Sequence, residues 1–413
     1  MMMVSKIKFF LARLFLSLEN PLFAFVFAFG TYFLLSILGG KPLRVSDTAY
    51  FNYLADAFLH GQLYLRLIPR YTRDLVFFNG QYFLYWPPMP GVVLMPFVAI
   101  FGVNFSDVFF NVVLASINVA MVAALFHAVD RAGLIRLPAV YRAMLLFFFT
   151  LGTVHLILAL FGKVWFTAQL LGFFFVGLAY LAAVELKGLL SFLVTGIFIA
   201  CATITRNHLL FTGIWPAYYL LAKNWSERPS LFLYTTAGLL PVLVMGCLFL
   251  EYNFIRFDSP FDVGLRYHRM ALRFLDDYHK YGAFNLHYLP TNFYYQYVHY
   301  PFPINKDTLM GGSLFLLSPV FVYAFVGMIR EYRNPNVWLW TISVVATSIP
   351  ILLLMGTGWK QFGPRYTLDF TVPLLLLTAS GVQRTSKLLL GFLIAVSVLQ
   401  YVLALFLYVR FEL

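Results

Sequence analysis

The chain has 413 residues, of which 61% are hydrophobic and only 11% charged, with a mean hydropathy of +0.80. Soluble domains carry about a quarter charged residues, so this composition excludes a soluble globular protein and indicates an integral membrane protein. The formal charge of +12 is spread over many loops, which argues against nucleic-acid binding and suits membrane orientation and anionic ligands.

The N-terminal "MMMVSKIKFFLARLF" is basic and then apolar, like a signal peptide. The run from Pro21 to Gly40 is too long for a signal core and lacks a clear cleavage site, so a retained first span is expected. Further apolar runs follow at 105–129, 139–160, 165–186, 189–205, 208–222, 231–250, 311–329, 336–355, 367–382 and 388–409. With the first they give about eleven transmembrane helices. Alternating apolar-out, polar-in segments are absent, which excludes an outer-membrane barrel. "PGVVLMPFVAIFG" (90–102) is too short to cross and reads as a re-entrant or interfacial helix. Cys201 and Cys247 lie inside apolar runs and read as small hydrophobes rather than a disulfide.

The short loops "DRAGLIRLPAVYR", "ELKG", "KNWSERPS", "REYRN" and "QRTSK" carry Lys or Arg, as does the N-terminus. They alternate consistently if the N-terminus is cytoplasmic. Two long segments, 41–104 and 251–310, then fall on the extracytoplasmic side. No internal repeat or inverted pair of halves is visible. The expected architecture is a single all-α polytopic domain over 1–413 with extracytoplasmic interfacial helices.

In the first outer segment, "RVSDTAYFNYLADAFLHGQLYL", Ser46, Asp47 and Thr48 open a predicted helix that Gly61 closes. Tyr50, Tyr53, Leu54, Ala57 and Phe58 share one side at helical spacing, and Asn52, Asp56 and His60 the other. This predicts a helix lying on the membrane, with Asp56 on a solvated face. Then comes "DLVFFNGQYFLYW", whose Asn79-Gly80 pair predicts a hairpin turn, and "PPMPG", which forces a non-helical approach to the next run. Read locally, Asp47 is a helix cap worth about 1 kcal/mol.

Together "SDTAYFNYLADAFLHGQLYL", "GQYFLYWPPMPGVVLMPFVAIFG", "YNFIRFDSPFDVGLRY", "GGSLFLLSPVF" and "WKQFGPRYTLDF" resemble bacterial membrane glycosyltransferases of the GT-C class. These are relatives of dolichyl-phosphate-mannose protein mannosyltransferases and of the aminoarabinose transferase acting on lipid A. The resemblance covers most of the chain. It implies that an acidic residue in the first outer loop is the catalytic base, and Asp47 is the matching position. The family often has a second acidic residue beside the first; here the neighbours are Ser46 and Thr48, a departure from what a metal-assisted variant would use.

The chemistry can be argued from the residues as well. Moving a sugar from a lipid phosphate to a hydroxyl needs a carboxylate that takes the acceptor proton and fixed cations that hold the leaving phosphate. Arg206 interrupts an apolar stretch, where a charge is costly, and His208 is close by. Resemblance to the family implies a phosphate contact for Arg206. Lys163 beside Trp165 is either a snorkelling lysine or a phosphate ligand. "KQFGPRYTLDF" places Lys360, Arg365 and Asp369 around a Pro-initiated helix, with Arg365 as phosphate ligand and Asp369, four residues on, as its orienting partner. Trp86 beside "PPMP" is either an interfacial anchor or a wall of the donor-sugar pocket. The aromatic-rich segment 251–310 is either belt material or the acceptor contact. His268, Asp276, Asp277 and His279 have no spacing that closes a metal site.

The expected function is inverting transfer of one sugar from a polyprenyl-phosphate donor to a glycan, lipid or protein acceptor, with no soluble cofactor. The rival readings are a transporter or lipid flippase, and a non-catalytic assembly partner. A transporter would bury charges mid-span or break spans in matched pairs, whereas these charges sit at span ends on one side.

Overall fold

The computed structural model describes residues 13, 15–38, 41–304, 310–356 and 361–410. Among them six helices are long and apolar enough to cross a membrane: Pro21–Leu38, Asp107–Arg131, Val164–Glu185, Trp225–Phe257, Pro335–Leu353 and Lys387–Phe406. Ala139–Leu151 and Val154–Leu160, bent by 51°, add a seventh if the pair is one span.

The count of long spans is therefore lower than the expected total of about eleven. The run at 189–205 is the short helix Gly188–Thr203, and that at 208–222 is the 3₁₀ turn Asn207–Gly213 followed by Ile214–Lys223. The run at 311–329 is broken where Leu314–Leu317 ends and Pro319 opens a 3₁₀ turn. The run at 367–382 starts as the 3₁₀ helix Arg365–Phe370 before Thr371–Val382. Hydropathy counts apolar side chains, but prolines and buried polar groups decide where the backbone ladder stops.

Asp107–Arg131 and Val164–Glu185 form the centre, with 72% and 83% of their apolar windows buried. Amides stitch them together. Asn111 donates to the Phe161 carbonyl at 3.0 Å, Thr167 donates to Asn111 at 3.0 Å, and Asn118 donates to the Leu170 carbonyl at 3.1 Å. In lipid such bonds and close backbone approach replace the hydrophobic effect between helices. The peripheral helix Arg228–Phe257 approaches Gly188–Thr203 so closely that a Cβ on Gly196 would lie 2.0 Å from the Gly238 carbonyl oxygen. Its outer face leaves Phe232, Leu233, Leu239 and Leu243 uncovered, a surface suited to lipid.

Segment 41–104 contains the helix Tyr50–Leu59, closed by Gly61 at φ 69°, and the hairpin Val76–Phe78/Gln81–Phe83. Asn79 and Gly80 both have positive φ, as the type I′ turn requires. The short apolar helix Met89–Phe101 follows. Segment 251–310 docks on segment 41–104. The Arg269 N–H donates to the Leu75 carbonyl at 3.0 Å, Val76 and His268 form a backbone bridge, and Arg256 donates to the Leu84 carbonyl at 2.8 Å. The two segments thus make one layer over the same end of the bundle. At the other end Arg142 bonds Glu19 and Asp130, and Arg131 bonds Glu185.

Candidate active site

The loop carrying Asp47 is tied down by a residue inside the first central helix. Asp107 follows the N-cap Ser106, and its carboxylate accepts the Ser46 N–H at 2.8 Å and the Ser46 hydroxyl at 2.5 Å. Gly162 presses on the same carboxylate, where a Cβ would come within 2.5 Å of an Asp107 oxygen. One buried carboxylate therefore pins the loops that carry Asp47 and Lys163. Because Asp107 draws Ser46 aside, the helix starts only at Tyr50, with Ala49 at the cap position and no side-chain cap. Asp47 is exposed in the preceding turn, so the local cap reading does not hold.

Two arginines are buried nearby, at 5% and 8% exposure for Arg206 and Arg365. Arg206 donates from Nε to Asp369 Oδ2 at 3.0 Å, its Nη2 lies 3.0 Å from the same oxygen as an ion pair, and His208 Nε2 lies 2.8 Å from it. Three nitrogens thus crowd one carboxylate oxygen, while among the described residues Asp369 Oδ1 and Arg206 Nη1 have no hydrogen-bond partner. Arg365 hydrogen-bonds only neutral groups there: Gln361, Gln169 at 3.4 Å and the Tyr366 hydroxyl at 3.0 Å. The Gln169 amide also donates to the Arg365 carbonyl at 2.8 Å, fixing the turn.

Aromatic rings connect the cations. The Arg206 guanidinium carbon lies 5.7 Å from the Trp86 ring centre and 5.3 Å from that of Tyr366. Arg365 lies 4.3 Å from Tyr366 and 5.8 Å from Trp165, and the Lys163 ammonium is 5.9 Å from Trp165. The structure thus gathers Lys163, Arg206, Arg365, Asp369, His208 and Trp86 into one neighbourhood.

Two expectations need correction. Asp369 orients Arg206 rather than Arg365, because residues 365–370 form a 3₁₀ helix of about three residues per turn, which moves i and i+4 off a common face. Asp56 is not solvated; it is buried and gripped by Arg66 through two hydrogen bonds of 3.0 Å. Asn52, on the same face, is buried too, donating to the carbonyls of Val103 and Phe105. Lys360 lies outside the described residues.

A second carboxylate, Asp74, joins the site and was missed in the sequence. It holds a left-handed φ of 66°, a conformation that Asp tolerates better than most side chains. Its carboxylate is 3.7 Å from His268, whose ring packs at 4.7 Å against Tyr85. Burial raises the Asp74 pKa, with Arg365 pulling the other way. Burial lowers that of His268 to about 4. Tyr50 is raised by burial and then by Asp74 and Asp47, so both carboxylates act on this one phenol. The only sequence signal for Asp74 was a charge just before the hairpin. For Asp107 and Gln169 it was a polar residue inside an apolar run.

No protein-family model matches this chain, and no curated protein does. Two solved structures of ArnT from Cupriavidus metallidurans are similar to it, one bound to undecaprenyl phosphate and one in the apo state. Each shows 13% identity and a TM-score of 0.48 over 89% of this chain. The chain spans 61% of the length of either ArnT chain.

Proposed function

We propose that this chain is a GT-C-like membrane glycosyltransferase that moves one sugar from a polyprenyl-phosphate carrier to an acceptor hydroxyl on the extracytoplasmic side. The observation that carries the reading is a charge imbalance in the buried cluster. Two buried guanidinium groups, Arg206 and Arg365, face one fully buried carboxylate, Asp369, which pairs with Arg206, while among the described residues Arg365 feels only the part-exposed Asp74 and the more distant Asp369. Arg365 has neutral hydrogen-bond partners among the described residues, and Arg206 keeps an unused N–H group. A buried cation without a counter-charge is costly, and an anionic ligand removes the cost. A phosphate monoanion on a lipid, entering beside these helices, has the right charge and the acceptor oxygens for planar guanidinium forks.

In this reading Asp47 is the base. It takes the proton of the acceptor hydroxyl as that oxygen bonds to the anomeric carbon and the sugar–phosphate bond breaks. The lipid phosphate leaves with the electron pair onto Arg206, Arg365 and Lys163, with Lys360 as a further candidate ligand. A single displacement by one base inverts the anomeric centre. Exposure of Asp47 in a turn, beside a loop anchored by Asp107, suits a base that must meet a large acceptor.

The test is transfer of radiolabelled sugar from a panel of polyprenyl-phosphate sugars in membranes, wild type against Asp47→Asn. Label moving from one donor, and lost in a normally folded variant, supports the enzyme and its base. Transfer that survives in Asp47→Asn removes Asp47 from the mechanism. No transfer or donor hydrolysis from any donor, with a folded protein, removes the enzyme reading and turns attention to lipid flipping in vesicles.

A further inference from the structure

The cations account for a phosphate but not for the sugar attached to it. Resting on the glycosyltransferase reading above, we propose that Asp74, His268, Tyr85 and Trp86 form the subsite that holds the transferred sugar. The ligand class is an uncharged monosaccharide with free hydroxyls.

The four residues run continuously from the phosphate end. Trp86 lies under Arg206, the Tyr85 and Trp86 rings are 5.2 Å apart, Tyr85 packs on His268, and His268 reaches Asp74. They come from both outer segments, so the sugar sits where the two meet at the Val76–His268 bridge. Each supplies what a sugar needs. Ring faces of Tyr85 and Trp86 cover the apolar C–H side of a pyranose or furanose, the usual role of aromatics in a mostly apolar pocket with few polar groups. The Asp74 carboxylate accepts from hydroxyls, and a charged acceptor makes the stronger bond.

A second observation points to a ligand. Among the described residues the Trp86 indole nitrogen and Arg206 Nη1 are shielded from solvent without a hydrogen-bond partner. The side chains of His268 and Arg206 are 6% and 4% exposed. Unsatisfied groups of this kind are costly, and ligand oxygens along this strip would satisfy them. The left-handed backbone at Asp74 is a local cost of the sort found at binding sites. Because the acceptor here is a carboxylate, a uronic acid is repelled and a hydroxyl-bearing neutral sugar is favoured.

The test measures binding of two lipids to the full-length protein in nanodiscs: undecaprenyl phosphate, and the same lipid carrying the sugar that the wild type transfers. In the wild type the sugar tightens binding. Asp74→Asn tolerates the positive φ and should weaken the sugar-bearing lipid about tenfold while leaving the bare lipid unchanged. Asp74→Gly, which fits that backbone without strain, should lose at least as much, and His268→Gln should act in the same direction. Equal weakening of both lipids, unchanged binding of the sugar-bearing lipid, or a wild type indifferent to the sugar would each overturn the proposal. A wild type that transfers none of the sugars sinks the glycosyltransferase reading first, an outcome visible before any variant is made.

Discussion

Asp369→Asn and Arg365→Met remove neighbouring buried charges, yet they should affect stability very differently. Asp369 Oδ2 lies 3.0 Å from both Arg206 Nε and Nη2, and the Arg206 side chain is only 4% exposed. Taking away one charge of a buried pair leaves the other uncompensated, which costs about 3–5 kcal/mol. Arg365 is the opposite case, since its hydrogen-bond partners among the described residues are neutral. Its loss removes the hydrogen bonds to Gln361, Gln169 and the Tyr366 hydroxyl, at about 1–3 kcal/mol. The same change relieves a desolvation penalty of several kcal/mol, so the net shift should fall within roughly 1 kcal/mol of zero. Thermal unfolding in detergent, followed by tryptophan fluorescence, separates the two. Asp369→Asn should unfold well below wild type and Arg365→Met close to it. Added undecaprenyl phosphate should raise the wild-type Tm and move Arg365→Met much less. An Arg365→Met protein that unfolds earlier than Asp369→Asn, or gains as much from the anion as wild type, would refute the assignment of Arg365 to a ligand.

Other outcomes follow from the same geometry. Asp107→Ala frees the Ser46 N–H and hydroxyl, so transfer should fall together with a loss of about 1–3 kcal/mol in stability, read by activity and unfolding on one preparation. Gly162→Ala forces a Cβ onto the same carboxylate and should reproduce part of both losses; a Gly162→Ala protein indistinguishable from wild type would contradict the clamp. His268, with its pKa lowered from 6.5 to about 4, is buried neutral. Its contribution is present above pH 6.5 and lost as pH falls toward 4, roughly 3 kcal/mol in all. His268→Gln should therefore flatten the acid limb of a stability–pH curve between those values, and an unchanged limb would place the acid-sensitive group elsewhere.

Much of the fold could be read from local pattern. The long apolar runs became helices, Asn79-Gly80 made its turn, and Gly61 ended the helix Tyr50–Leu59. Where the reading went astray, the missing information was a distant partner. Ser46 looked like the start of a helix because nothing in its neighbourhood announced that Asp107 would claim both its N–H and its hydroxyl. Asp56 looked solvated because Arg66 and the surrounding loops were not visible in a helical wheel. Arg365 and Asp369 looked paired because spacing of four was read with an α-helical period.

By itself the sequence determined that this is a helical membrane protein, where its chain turns, and which charges stand in places that lipid makes costly. Those properties depend on hydropathy, turn chemistry and desolvation, which act over a few residues at a time. Only the tertiary structure decided which carboxylate serves which arginine, since Arg206 and Asp369 are 163 positions apart and Ser46 and Asp107 are 61 apart. It also decided that Asp74 meets His268 at the seam of segments 41–104 and 251–310. Such pairings are set by how helices and loops pack in three dimensions. A buried charge must find some partner, but local sequence does not specify which one.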